Sequence, residues 1–509
     1  SSSLAMFQAP LSDNTLFLKF CCLGLMSNVG LEMFLQRVLT SISWRRYLCV
    51  GMLFISLCGC GQMKGYVLDQ PDSDQITQDF DTRDITRESV DVFAAKLGYN
   101  RPWPPEKWGL EELMYTALYF SPRLKVARQN KELFEVSAQL SGLEIQKKVQ
   151  VATEYHTNEV NGEKPWGLGF TVGLPFFSEK KQKVLSEKSL LYVDDATLKL
   201  TQEIWLLHSE LRNNLFRWNA NAAKRKLNIQ KIKLARELID LVEARFSYGF
   251  ANRDQLNKRK YDLGLFLEQE LMLETERLEI VSTMAGFIGM PAIDLEQLVM
   301  SHLTFDETPD ISGVEVYRSA ALLNRIDLQE SLVDFGLADV ELKLALIKQY
   351  PEISISPGYF WDQGDKIWNF ALGLALPKQS DVLILQAENV RNLKHLEVKE
   401  TQINILSEVE GYHAMAQSAR ARLVQSRSNL RQANEIFSGA EERFGVGNIS
   451  RVDLYDGRLA YIAIAEQFID QMSDYFTALA ALEDSCQTPL LFQYKVLASM
   501  NYQLKDPLE

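Results

Sequence analysis

The chain has 509 residues, a formal net charge of -13 and 46% hydrophobic residues, with an isoelectric point near 5.2. An acidic balance of that size excludes the basic face that nucleic-acid binding needs, and no apolar run reaches the roughly 18 to 20 residues of a membrane-spanning helix. The six cysteines fall at 21, 22, 49, 58, 60 and 486, a distribution that makes no disulfide framework.

In chain order, Arg37, Arg45 and Arg46 precede a short apolar run from Tyr47 to Leu57, the layout of a secretory signal. Leu57-Cys58-Gly59-Cys60 then resembles the lipobox of bacterial lipoproteins. That resemblance implies acylation of Cys60 as the first residue of the mature chain, with residues 1–59 an upstream segment and signal peptide. Gly61 stands where an aspartate would suggest retention in the inner membrane. Residues 60–106, acidic and then proline-rich, read as an extended tether. Cys486 becomes the one thiol left, and a buried helix position is its expected environment.

A helical pattern begins near Leu110 and continues, after Pro122, through Leu124, Ala127, Leu133, Val136 and Leu140. Strand alternation follows. Trp166, Leu168, Phe170, Val172 and Leu174 alternate with Gly167, Gly169, Thr171 and Gly173, and a partner run from Val149 to Thr157 precedes them across a polar connection. The pattern recurs: Glu352 to Trp361, a short connection, then Trp368, Phe370, Leu372 and Leu374 alternating with Asn369, Ala371 and Gly373. Period two with one apolar and one nearly bare face predicts two hairpins. Strands of about ten residues patterned in this way suit a membrane β-barrel. Trp166, Leu168, Phe170, Val172, Trp368, Phe370, Leu372 and Leu374 would then face lipid, and Gly169, Thr171 and Gly373 the lumen. Four strands cannot close, and open edges are not tolerated in lipid, so several chains must pool their strands. Two hairpins on a soluble core are the alternative.

Behind each hairpin runs a long helical pattern. Leu207, Leu211, Leu215, Trp218, Ala222, Ile229, Ile232, Ile239, Val242 and Phe246 form one stripe, with a mean step of about 3.5 residues. Ile403, Leu406, Ala416, Ala419, Leu423, Leu430, Ala433, Phe437, Ala440 and Phe444 form the other. About 70 residues at 1.5 Å each make roughly 100 Å of helix. Each pattern ends in a glycine turn: RFSYGFANRDQL from Arg245 and RFGVGNISRVDLYD from Arg443. Phe246 and Phe444, Gly249 and Gly447, Arg253 and Arg451, Leu256 and Leu454, and Pro291 and Pro489 keep one offset, which marks an internal repeat. The expected organisation is a first repeat over 107–300, a second over 301–490 and a tail over 491–509.

Hairpin, long helix, R-F-x-x-G turn and return helix, occurring twice behind a lipobox, resemble the TolC-like outer membrane efflux proteins over about Leu110 to Pro489. The resemblance implies a mixed, mainly α fold: a homotrimer whose transmembrane β-barrel, four strands per chain, continues into a long periplasmic α-helical barrel. It implies a passive exit duct that docks a periplasmic adaptor and an inner-membrane pump, as in efflux or type I secretion. Arg245 and Gly249, with Arg443 and Gly447, match the family's adaptor-docking tips. Asp453 and Asp456 match aspartates that ring the closed periplasmic mouth, where crowding would raise some of their pKa values. Ile449 and Ser450 depart from residues that some members use for gate bonds. No cofactor or metal is expected: the five histidines lack metal spacing, and no phosphate loop or nucleophile elbow is present. The competing class is a periplasmic helical-hairpin lipoprotein without a pore.

Overall fold

A computed structural model describes residues 72–141, 148–155, 166–176, 179–301, 311–362, 365–376 and 380–490. Cys60, the signal segment, the connection Asn158 to Glu163 and the tail 491–509 lie outside the described residues. The chain divides into units Ser1–Gln75 and Ile76–Glu509, and of the first only residues 72–75 are described.

Two short helices, α1 (Ser73–Asp81) and α2 (Glu88–Lys96), occupy the stretch expected to be an extended tether. The acidic composition there hid a small apolar face. Val90 and Ala94, four apart, are fully buried, and Phe93 and Leu97 pack against the same core. Trp103 donates its indole N–H to the Ile85 carbonyl at 2.7 Å. Trp108 makes a parallel bridge with Met300, its N–H donating to Val299 O at 2.9 Å. From Ile85 to Trp108 the chain is therefore part of the folded body.

The repeat then unfolds twice. Helices α3 (Leu110–Phe120) and α4 (Pro122–Ser141) lead into strands β1 (Lys148–Tyr155) and β2 (Trp166–Phe176), the long helix α5 (Glu179–Ser247), the return helix α6 (Arg253–Ile288) and a short α7 (Ala292–Glu296). The second copy runs α8 (Val314–Asn324), α9 (Ile326–Ile347), β3 (Glu352–Asp362), β4 (Asp365–Ala375), α10 (Ser380–Gly445) and α11 (Arg451–Cys486). Helices α5 and α10 have 69 and 66 residues, and both return helices have 36. At 1.5 Å per residue each long helix reaches about 100 Å. Such helices cannot rest on propensity alone, and each is held by packing along its length.

Two cores do this. Leu113, Leu118, Leu211, Ile280, Met284 and Ile288 belong to the first, and Ala321, Leu328, Val409, Tyr475, Leu479 and Cys486 to the second. Cys486 is fully buried, as expected, and burial raises its thiol pKa to about 11. Between the cores lies a charged node. Arg212 on α5 is fully buried and reaches Glu483 Oε1 and Asp484 Oδ2 on α11, each at 2.6 Å. His208, one turn before, is also fully buried, and desolvation with the nearby Arg212 charge lowers its pKa to about 3.

The apolar stripes hold only in part. Leu207, Leu211 and Leu215 are buried, but Ile229 is 55% exposed and Phe246 42%; Ile403 on α10 is 66% exposed. A step of 3.5 drifts around a straight helix of 3.6 residues per turn. On α5 the buried line passes instead through Asn221, Asn228 and Lys231 before Leu234, Leu238 and Val242. Asn221 Nδ2 donates to Leu273 O at 2.9 Å and Asn228 Nδ2 to Phe266 O at 3.0 Å, both across to α6. Burial of these side chains is tolerated because each amide nitrogen finds acceptors on α6.

The four strands form one antiparallel sheet in the order β1-β2-β3-β4. Besides the two expected hairpins, β2 pairs with β3, with Leu168 opposite Trp361 and Phe170 opposite Tyr359. This pairing joins the two repeats. Among the described residues neither β1 nor β4 has a strand on its outer edge.

Candidate functional site

Two features of the chain answer to the functional expectations: the one-sided sheet and the two helix tips. Register decides the first. Val149 lies opposite Val172, Val151 opposite Phe170, Tyr155 opposite Trp166, Ile353 opposite Leu374, Ile355 opposite Leu372 and Tyr359 opposite Trp368. All the apolar residues expected to face lipid therefore share one face with partners from β1 and β3. That face is open. Leu168, Phe170, Trp368, Phe370, Leu372 and Leu374 are each 47% exposed or more, while Val172 is half-buried. Its aromatics gather toward the end remote from the helices, where Tyr155 meets Trp166 with centroids 4.9 Å apart and Tyr359 meets Trp368 at 5.0 Å. The face thus carries an aliphatic band below an aromatic row. An 11-residue strand such as β2 rises roughly 36 Å at 3.3 Å per residue.

The opposite face carries Gly167, Gly169, Thr171, Gly173, Ser354, Ser356, Gly358, Asn369, Ala371 and Gly373. Phe360, with Ile367 beside it, is the exception. It lies on this face opposite Gly169, a residue the alternation of β2 and β4 alone did not bring to notice.

The tips repeat one backbone. Gly249 and Gly447 have φ of +79° and +80°, the left-handed region that glycine enters at no steric cost. Each helix end closes in the same way: Gly249 N donates to Phe246 O at 3.0 Å and Phe250 N to Arg245 O at 2.7 Å, matched by Gly447 N to Phe444 O at 2.9 Å and Asn448 N to Arg443 O at 2.8 Å. This bonding is the glycine-terminated end of a helix. A capping box then starts each return helix, Asn252 with Gln255 and Ser450 with Asp453. The side chains differ more than the backbone. Tyr248, Phe250 and Val446 are each more than 70% exposed, an apolar tip surface that the charged and glycine residues of the motif had overshadowed.

The structure separates the two tip aspartates. Asp453 Oδ2 accepts from Ser450 N at 3.1 Å and from Ser450 Oγ at 2.7 Å. Those bonds, aided by the Arg245 charge, hold its pKa below the ordinary carboxylate value. The rise expected from crowding concerns the acids of three chains together, and within one chain the capping bonds set the direction. Asp456 instead receives Arg259 Nη2 of α6 at 2.6 Å. Beside it, Tyr455 bonds to Glu237 of α5, and that bond first, then burial, raises the phenol pKa. Further along, Lys231 of α5, nearly buried, reaches Glu466 Oε1 at 2.7 Å and Gln269 Oε1 at 2.8 Å, and Lys224 pairs with Asp470. A line of polar ties thus joins α5 and α6 to α11. Ser450 takes no part in it, being occupied as the cap. Pairs such as Arg259 and Asp456, 197 positions apart, leave no signal in sequence spacing.

The chain, with its long paired helices, repeated glycine tips and four-stranded sheet, has the fold of the TolC-like outer membrane channels. The outer membrane protein VceC of the pathogen Vibrio cholerae matches with a TM-score of 0.62 at 16% identity, over 76% of this chain and 99% of its own. The CmeC outer membrane channel of Campylobacter jejuni matches with a TM-score of 0.62 at 14% identity, over 77% and 91%. CusC, described with its transmembrane channel formation, gives 0.61 at 14% identity, over 77% and 95%. VceC is described as an outer membrane protein and CmeC as an outer membrane channel. Neither a protein-family model nor a curated protein sequence matches the chain significantly. Among the described residues no helix is long and apolar enough to cross a membrane, and no acidic, histidine or cysteine group could hold a metal ion.

Proposed function

We propose that the chain is the outer membrane channel of a tripartite efflux or type I secretion system. Three copies pool their sheets into one closed barrel, β4 of each pairing with β1 of the next. The long helices continue that barrel through the periplasm, and Cys60 carries the lipid anchor. The observation that supports this reading is the sheet itself: one face largely apolar and exposed and, among the described residues, two outer edges without a strand and no helix able to span a membrane. In lipid those edges require partners, and in water such a face would be an aggregation hazard.

The tips carry the periplasmic functions. Tyr248, Phe250 and Val446, around the Arg245–Gly249 and Arg443–Gly447 turns, offer an apolar surface to a periplasmic adaptor, which in turn engages an inner-membrane pump. Asp453 and Asp456 ring the mouth and favour cations, and the tie between Arg259 and Asp456 helps to keep that mouth narrow. No nucleic acid and no cofactor enters the scheme.

The test is made on the two faces of β2. Phe170→Arg places a charge on the lipid side and should cost about 2 to 4 kcal/mol near mid-membrane, abolishing the heat-modifiable trimer band and channel activity in planar bilayers. Thr171→Arg, on the other face, should assemble. Equal tolerance of both changes would favour a periplasmic helical-hairpin lipoprotein without a pore.

A further inference from the structure

Among the described residues, Phe360 is the one aromatic side chain on the sparsely furnished face of the sheet. Register places it in a row with Ala152, Gly169 and Ile367, between a row holding Glu154, Asp362 and Asp365 and a row holding Gln150, Thr171 and Asn369. It is the apolar row of that end of the face, and Ile367 in it is 46% exposed.

The seat of the ring is specific. A β-carbon on Gly169 would stand 2.5 Å from Phe360 Cγ and would strike the ring edge. On the same strand as the ring, a β-carbon on Gly358 would stand 3.4 Å from Phe360 Cε2. The ring therefore lies down across β2, in space that only a glycine leaves. Glycine weakens a strand by its backbone entropy and lack of packing, and an aromatic laid over it restores contact. The same arrangement has a geometric effect: it keeps a large side chain out of the space above this face.

We propose that Phe360 sets the bore of the channel toward the end of the barrel remote from the helices, held flat against the wall by the glycine floor at Gly169. This assignment rests on the barrel reading above, in which this face lines the lumen. With the seat empty of other atoms the ring is wall; with the seat filled it must swing inward. Repeated in each copy, an inward ring would form an apolar collar between polar rows, and narrow apolar constrictions oppose water and ions.

The experiment uses the full-length chain in planar bilayers, with the heat-modifiable band as the measure of assembly. Gly169→Val should assemble and lose single-channel conductance. Adding Phe360→Ala to Gly169→Val should return the conductance to the wild-type value or above, and Phe360→Ala alone should conduct at least as well as wild type. Wild-type conductance in assembled Gly169→Val, or a double variant as poorly conducting as Gly169→Val, overturns the assignment. Should Gly169→Val not assemble, Phe360→Ala decides by itself, since a conductance below wild type contradicts a bore-setting ring. A wild-type chain that opens no channel at all would sink the barrel reading instead.

Discussion

Replacing Arg212 with methionine tests whether the charged node between the cores holds the two repeats together. The substitution keeps most of the side chain's volume and removes its charge. Arg212 is fully buried, donates to Glu483 and Asp484 at 2.6 Å each, and contacts Ala480 O at 3.4 Å. Its loss falls unequally on the two acids. Asp484 is a third exposed and keeps the Trp205 indole N–H at 3.1 Å and the Ser209 hydroxyl. Glu483 is fully buried and keeps the N–H of Leu490 at 3.0 Å, while His208 nearby is held neutral. Removing the cation that pairs with a buried carboxylate costs about 3 to 5 kcal/mol. Adding Glu483→Gln removes that buried charge while leaving an acceptor for Leu490, so the double variant should recover most of that loss. The assay is denaturant unfolding in detergent followed by helical circular dichroism, at fixed chain concentration because assembly contributes to stability. Arg212→Met within about 0.5 kcal/mol of wild type, the range of ordinary surface changes, would refute the reasoning. So would a double variant no more stable than the single one.

Three further outcomes are expected. His208, with its pKa lowered to about 3 from 6.5, is neutral in the fold while the unfolded chain takes up a proton below 6.5; its contribution is complete above pH 6.5 and declines as pH falls toward 3, so the stability difference between wild type and His208→Phe should shift toward the variant over that window, and a constant difference contradicts this. Asp453→Asn with Asp456→Asn should lower cation selectivity and multivalent-cation block in bilayers with the trimer intact, whereas Asp254→Asn should change them less; unchanged selectivity in the double variant would reduce both acids to capping and pairing roles. Radiolabelled palmitate should enter the wild-type protein and not Cys60→Ala, and equal labelling of the two removes the lipid anchor, which needs several chains to hold firmly.

The parts of this fold that were legible in the sequence are those with a short-range cause. Alternation gave the strands because side chains on a strand have period two, and Trp166 to Leu174 and Trp368 to Leu374 do occupy one face. Gly249 and Gly447 marked the tips because a positive φ there favours glycine. The stripe on α5 faded past Ala222 because burial in that region follows hydrogen bonding to α6, so Asn221 and Asn228 are covered while Ile229 is not. Charge-rich composition masked the packed Val90 and Ala94. The ties from Arg259 to Asp456 and from Arg212 to Glu483 depend on which helices lie side by side. Phe360 became visible only when register set it against Gly169.

The two tips share a backbone down to the sign and size of φ at the glycine, yet present different side chains: Tyr248 and Phe250 on one, Val446 and Asn448 on the other. In a trimer this turns recognition into a question of counting. A partner that grips the common turn meets two equivalent sites on every chain, and one that grips Tyr248 and Phe250 meets a single site. The saturating ratio of partner to channel therefore reports what the partner reads, and conversion of Tyr248 and Phe250 to the residues of the second tip should abolish binding of a partner that reads those two side chains and leave the ratio unchanged for one that grips the common turn.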